Sequence, residues 1–135
     1  MQVRDLMTRK VFTVRADKKL IIVDEIMSWA RVRHVPVVDA QDRLVGLISH
    51  RDLMRASISS VETRVAQEER RQHEWTIPVR EVMHARVHTI GPEESVQEAA
   101  KRMRSGKIGC FPVVSEGKLI GIITEHDLLR LVEQM

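Results

Sequence analysis

Tyrosine is absent from this chain, cysteine occurs once, and only two phenylalanines and two tryptophans are spread over 135 residues. A lone Cys110 excludes an internal disulfide and a cluster of thiolate metal ligands. So few rings leave little on which single-stranded bases could stack, which argues against nucleic acid as a partner. No apolar run approaches the roughly 18 residues that span a bilayer. The opening stretch "MQVRDLMTRK" carries charges where a secretory signal needs an apolar core. These absences lead to the expectation of a cytoplasmic protein that does not enter the membrane.

What is present is the balance of a folded protein, 43% hydrophobic and 30% charged residues. The formal charge of +3 and a pI near 9.4 suit a small anionic ligand. The chain is long enough to bury roughly two thirds of its unfolded surface as one body, whereas half of it alone would be marginal.

The strongest signal is internal repetition, which decides the fold before any local reading. "VRDLM" (3–7) matches "VREVM" (79–83), and "HVPVV" (34–38) matches "CFPVV" (110–114), both at an offset of 76. Val11, Thr13 and Met27 pair with Val87, Thr89 and Met103 at the same offset. After the strand the offset falls to 75, pairing Leu44 with Leu119, Gly46 with Gly121 and Asp52 with Asp127. The lost residue falls between the polar turns "DAQDR" and "SEGK", where a deletion is cheap.

Each copy reads β-α-β-β-α. "VFTV" and "VHTI" are short β-prone runs. A helix follows, with Leu20, Val23, Met27 and Ala30 on one face, and Val96, Ala99 and Met103 in the second copy. Asp17 and "PEES" (92–95) are candidate helix starts. "VPVV" and "FPVV" are strands entered through proline, joined as hairpins to "LVGLIS" and "LIGIIT". A second helix begins after Ser49 and after Thr124. Met54, Ile58, Val61 and Val65 recur at helical spacing, so the first of these helices is expected to continue for several turns into the charged run "QEERRQHEW". The division is unit one at 1–57, a linker extension at 58–76, and unit two at 77–135.

One phrase is written twice, "GLISHRDL" (46–53) and "GIITEHDL" (121–128). Ser49-x-x-Asp52 and Thr124-x-x-Asp127 have the form of helix-capping boxes with Asp in the Glu position. The same geometry also makes a nucleotide site. A helix start attracts an anion, and a carboxylate in its first turn can accept hydrogen bonds from two ribose hydroxyls. Gly46 and Gly121, lacking side chains, are expected to let a flat group approach the strand backbone.

With "RDLMTRKVFTV … RHVPVVDAQDRLVGLISHRDL" and its second copy, the sequence resembles a tandem pair of CBS domains, the Bateman module, over almost its whole length. The resemblance implies an α/β (α+β) fold of two β-α-β-β-α units packed sheet to sheet about a pseudo-twofold axis. It also implies two clefts that hold an adenosine compound: AMP, ADP, ATP, NAD or S-adenosylmethionine. Ser49, Asp52, Thr124 and Asp127 would hold ribose. Thr8, Phe12, Val32, His84, His88, Ile108 and Gly109 would line the base, with His84, His88, Ile108 and Gly109 grouped with the Ser49 cleft. Thr8, Phe12, Val32 and Arg33 are grouped with the Thr124 cleft. Phosphates would lean on Arg33 and His34, helped by Arg51 or His126. Because the second copy places Gly109 and Cys110 where the first has Arg33 and His34, the clefts should be unequal.

No nucleophile, base and orienting group, and no metal triad, can be assembled, so neither an enzyme nor a required cofactor is expected. His84 and His88 lack a third ligand nearby. Cys110 precedes an apolar strand and is expected to be buried. The function implied is a regulatory module that binds an adenine nucleotide and alters a partner. No attached domain lies in this sequence, so the partner is expected to be another protein or a second copy, and a homodimer through the helices after Asp52 and Asp127 is expected. The apolar tail "LLRLVEQM" fits that use. The competing reading is a ligand-free interaction scaffold in which both boxes are caps alone.

Overall fold

The computed structural model describes residues 1–59 and 76–135. The expected helix continuation through Val61 and Val65, the run "QEERRQHEW" and the linker it forms lie outside the described residues. The described chain comprises α1 (Val3–Leu6), β1 (Val14–Arg15), α2 (Leu20–Ala30), β2 (His34–Val38), β3 (Leu44–Ser49) and α3 (His50–Ser59). After a 3-10 turn at Val79–Glu81 come α4 (Val96–Gly106), β4 (Cys110–Ser115), β5 (Lys118–Thr124) and α5 (Glu125–Glu133). The mixed α/β class expected from the repeats is what forms.

Packing divides these elements into two units. The first holds Phe12–Ala40 and the described part of Val45–Arg86; the second holds Met1–Val11, Gln41–Leu44 and Val87–Met135. Sequence copies and packed units therefore differ at the start of each copy and at Gln41–Leu44. α1 packs with the strands of copy two, and its repeat, the turn at Val79–Glu81, packs with those of copy one.

In the first unit the sheet runs β1-β2-β3, with β1 parallel to β2 and Val14 facing Val37. Leu20, Val23 and Met27, three and four residues apart, put one helical face onto Val35, Val37 and Ile48. Leu53 of α3 and Val79 of the turn close that core. The helix does not begin at Asp17. Lys19 is its N-cap without a side-chain cap, because the Leu20 N–H finds the Ile77 carbonyl at 2.9 Å. A backbone partner has taken over what a capping side chain would do.

The second unit repeats these bonds with other residues. Val96 N–H donates to the Met1 carbonyl at 3.0 Å, and here Ser95, within the expected "PEES" start, also caps α4 through Glu98 N–H at 3.0 Å. β4 and β5 are antiparallel from Cys110↔Thr124 to Ser115↔Lys118, with an irregularity at Val113/Val114. The two turn residues, Glu116 and Gly117, both have positive φ, the type I′ geometry that matches strand twist. Phe111, Val113 and Ile123 are buried against Val96, Ala99 and Met103. The Arg102 guanidinium lies 4.6 Å from the Phe111 ring centroid and donates to the Thr89 carbonyl at 2.9 Å.

The first β-prone runs are shorter than expected. "VFTV" yields only Val14–Arg15, and "VHTI" yields a single bridge, Ile90↔Val113. Both lie at a sheet edge, and Phe12 and His88 are exposed, so only the residue facing the core is drawn into the ladder. Among the described residues no helix is long and apolar enough to cross a membrane.

Candidate functional site

Ser49 ends β3 and Asp52 sits in the first turn of α3, so the strand-to-helix corner sets their spacing. Asp52 is only 7% exposed. Its Oδ2 accepts from the Ser49 N–H and from Ser49 Oγ, both at 2.8 Å. Ser49 Oγ in turn accepts from the Asp52 N–H at 3.1 Å. Oδ1 faces His84 Nε2 at 2.8 Å. Burial alone would raise the Asp52 carboxyl, but the Ser49 backbone and hydroxyl and the His84 ring together hold it below the ordinary 3.8. Since that carboxylate is ionised, the proton of this contact resides on Nε2, which donates.

Thr124 and Asp127 build the same corner between β5 and α5, and there too the capping box is closed. Asp127 is 4% exposed. Its Oδ2 accepts from the Thr124 N–H at 2.9 Å and from Thr124 Oγ1 at 3.3 Å. Its Oδ1 faces not a histidine but Arg130 of the same helix at 3.4 Å. Cys110, across the ladder from Thr124, is buried as expected. Burial first and the Asp127 charge second push its thiol up to about 12, so it stays protonated and poorly nucleophilic near neutrality.

The repeated glycine has a different role from the one expected. A Cβ on Gly121 would stand 2.6 Å from Met7 Sδ and 3.0 Å from the Thr8 carbonyl oxygen. One on Gly46 would collide with Met83 Sδ and stand 3.1 Å from the His84 carbonyl oxygen. The space over each glycine is thus filled by the segment after α1 or after the Val79–Glu81 turn. Paired backbone bonds lock these segments down, Leu47 with His84 and Thr8 with Ile122. Glycine is required there for backbone-to-backbone approach within the fold, and no flat ligand group has that space.

Backbone bonds tie two other candidates to the corners of their own copies. The His50 N–H donates to the Arg33 carbonyl at 2.7 Å, and the Glu125 N–H donates to the Gly109 carbonyl at 3.1 Å. Arg33 therefore stands beside the Ser49/Asp52 box and Gly109 beside the Thr124/Asp127 box, each with its own copy, because one backbone bond ties strand entry to helix start. His84 lies against the Asp52 carboxylate, and Thr8 pairs with Ile122 of β5, two residues before Thr124. Phe12, Val32, His34 and Arg51 lie in the first unit; His88, Ile108 and His126 lie in the second. Arg33, Arg51, His88 and His126 are exposed, while Val32, His34 and Ile108 are half-buried.

Three contacts escaped the sequence reading. Arg130 reaches Asp127 from three residues on, a spacing the sequence did offer. Trp29 is 78% exposed and meets Phe12 edge to face at 5.6 Å, a contact no local pattern announces. Glu125, in the first turn of α5, lies beside the Gly109 backbone, a contact the sequence does not announce. Among the described residues no three His, Cys, Asp or Glu side chains gather in a way that could hold a metal ion.

Comparison with known proteins places these corners in a family. The profile of the CBS domain matches residues 3–59 and again 79–134. A CBS domain-containing protein of Dictyostelium discoideum is 34% identical over 131 residues, covering 96% of this chain and 90% of its own. The crystal structure of an acetoin utilization protein (AcuB) from Vibrio cholerae superposes with a TM-score of 0.88 at 35% identity, covering 99% of this chain and 92% of that one. The structure of CBSX2 in complex with AMP superposes with a TM-score of 0.82 at 24% identity, covering 98% and 96%. Of a homoserine O-acetyltransferase from Methanococcoides burtonii, 34% identical over 134 residues, this chain spans only 24%. With both copies of the repeat matched from their first helical turn to their last helix, the chain belongs to the CBS domain family.

Proposed function

We propose that this chain is a regulatory module that binds an adenosine compound through its two Ser/Thr-x-x-Asp corners and thereby modulates a partner. The observation that carries the reading is the state of the two carboxylates. Asp52 and Asp127 are nearly buried, and each has Oδ2 fixed by its own hydroxyl residue. The other oxygen is turned to a side chain that can swing away, His84 at 64% exposure or Arg130 at 48%. A ribose diol can take that place at little structural cost. Known pairs of this fold support the reading: CBSX2 was solved with AMP, and the CBS pair of protein MJ0100 with 5′-methylthioadenosine and S-adenosylmethionine.

In this reading Ser49, Asp52, Thr124 and Asp127 hold ribose, while Thr8, Phe12, Val32, His84, His88, Ile108 and Gly109 supply base contacts. Arg33, His34, Arg51 and His126 supply the cationic side chains for phosphate. A ligand shifts the module only through different affinity for two of its states. The module acts in the cytoplasm on a second protein or a second copy, and it is not itself a catalyst. A ligand-free scaffold is the second reading, favoured by the exposed apolar residues Leu129, Val132 and Met135 at the end of the chain.

Calorimetric titration with AMP, ADP, ATP, NAD and S-adenosylmethionine separates the two. The sensor reading expects saturable binding that Asp52→Ala or Asp127→Ala removes while the fold survives. Folded, nucleotide-free protein that binds nothing in this panel, and self-associates through α5, would establish the scaffold instead.

A further inference from the structure

The two corners differ most at the residue that opens each final helix. In the first, His50 opens α3, its N–H on the Arg33 carbonyl, and Arg51 follows. In the second, Glu125 opens α5, its N–H on the Gly109 carbonyl, and His126 follows. The Glu125 carboxylate lies alongside the bare Gly109 backbone. A Cβ there would stand 3.6 Å from Glu125 Cδ and 3.7 and 3.8 Å from its two oxygens. Where one copy brings two guanidinium side chains and a histidine, the other brings a carboxylate, a histidine and no side chain at all. The remaining cations cancel between copies. Arg31 and Lys107 end equivalent helices, and Arg130 is the repeat of Arg55.

We infer that the Thr124/Asp127 corner prefers adenosine compounds without a phosphate, neutral or cationic at the 5′ position, and that Glu125 sets this preference. The inference rests on the ribose reading of the corners. A ribose ring is smaller than the screening length of about 8 Å at physiological salt. Any 5′ substituent of a ribose held on Asp127 therefore stays within the field of Glu125, two residues away on the same turn. A phosphate there meets two carboxylates, which offset the attraction that a helix start otherwise exerts on an anion. A thioether or sulfonium meets no such opposition. At the Ser49/Asp52 corner Arg33 and Arg51 favour the phosphate instead. Because Glu125 is exposed, its discrimination is modest, up to about fivefold for one solvent-screened charge pair.

Titration of the full chain carrying Asp52→Ala isolates the second corner, with 5′-methylthioadenosine, S-adenosylmethionine and AMP as probes. The expected result is binding of the first two and several-fold weaker binding of AMP. Adding Glu125→Gln, an exposed and isosteric change, should tighten AMP by up to about fivefold and leave 5′-methylthioadenosine unchanged. AMP bound as tightly as the thioether by Asp52→Ala protein, or an unchanged ratio after Glu125→Gln, overturns the selection while the ribose site stands. Binding of all three that ignores both Asp52→Ala and Asp127→Ala, or no binding at all, removes the ribose reading and this inference with it.

Discussion

Asp52 and Asp127 are the same position of one repeat, both buried and fixed by the same box, yet they are answered by different donors. The partner of Asp52 comes from a segment distant in sequence, His84, and the partner of Asp127 from its own helix, Arg130. The cores diverge in a similar way. Val35 occupies in copy one the place that Phe111 occupies in copy two, and Ile26 the place of Arg102. Ile26 packs on its core as an apolar side chain, whereas Arg102 lays its guanidinium over the phenylalanine ring. Duplication preserved backbone-level requirements, and side chains that meet only one another drifted in pairs.

The core pair gives the largest test of this comparison. Phe111→Ala should cost about 3–5 kcal/mol, since the ring is fully buried and its loss also removes the seat of Arg102. Val35→Ala, equally buried but smaller, should cost about 2 kcal/mol. Urea unfolding of the two variants reads the difference directly. Equal losses would show that the two cores tolerate voids differently and that side-chain volume does not rank them.

The glycines should behave alike, because they answer a shared backbone requirement. Gly46→Val and Gly121→Val each force a side chain against a carbonyl oxygen standing 3.1 or 3.0 Å from the Cβ position. The methionine sulfur nearby can move, but a carbonyl held by paired backbone bonds cannot. We expect about 1–3 kcal/mol from each, visible as matched falls in thermal midpoint. A tolerated valine at one glycine only would mean that the covering segment is loosely held in that copy.

Much of this was legible in the sequence, and the reason is periodicity. The offsets of 76 and 75 carried the repeat, the helical faces and both capping boxes, because each depends on neighbours a few residues apart. What could not be read was the docking of residues 1–8 on the strands of copy two and of 77–84 on those of copy one. Nothing local encodes a partner some thirty to a hundred and fifteen residues away. That one omission accounts for two misreadings. Asp17 looked like a cap because the Ile77 carbonyl was out of view, and Gly46 looked like room for a ligand because Met83 was.

The smallest effect probes the carboxylates themselves. Replacing Asp52 by Asn keeps an acceptor for the Ser49 N–H but removes the charge that His84 answers, and should cost about 1 kcal/mol at neutral pH. The sign with pH follows from the lowered carboxyl. Folded Asp52 releases its proton below 3.8, where the unfolded chain releases it, so its contribution is complete above that value and is lost as pH falls through the folded one. The gap in unfolding free energy between wild type and Asp52→Asn should thus narrow as pH drops from 6 toward 3. His84→Ala should narrow it too at neutral pH, since it removes one of the groups that hold the carboxyl down. A gap that stays constant across the acid range would mean that Asp52 stabilises its helix as a neutral cap, with the His84 contact contributing nothing in solution.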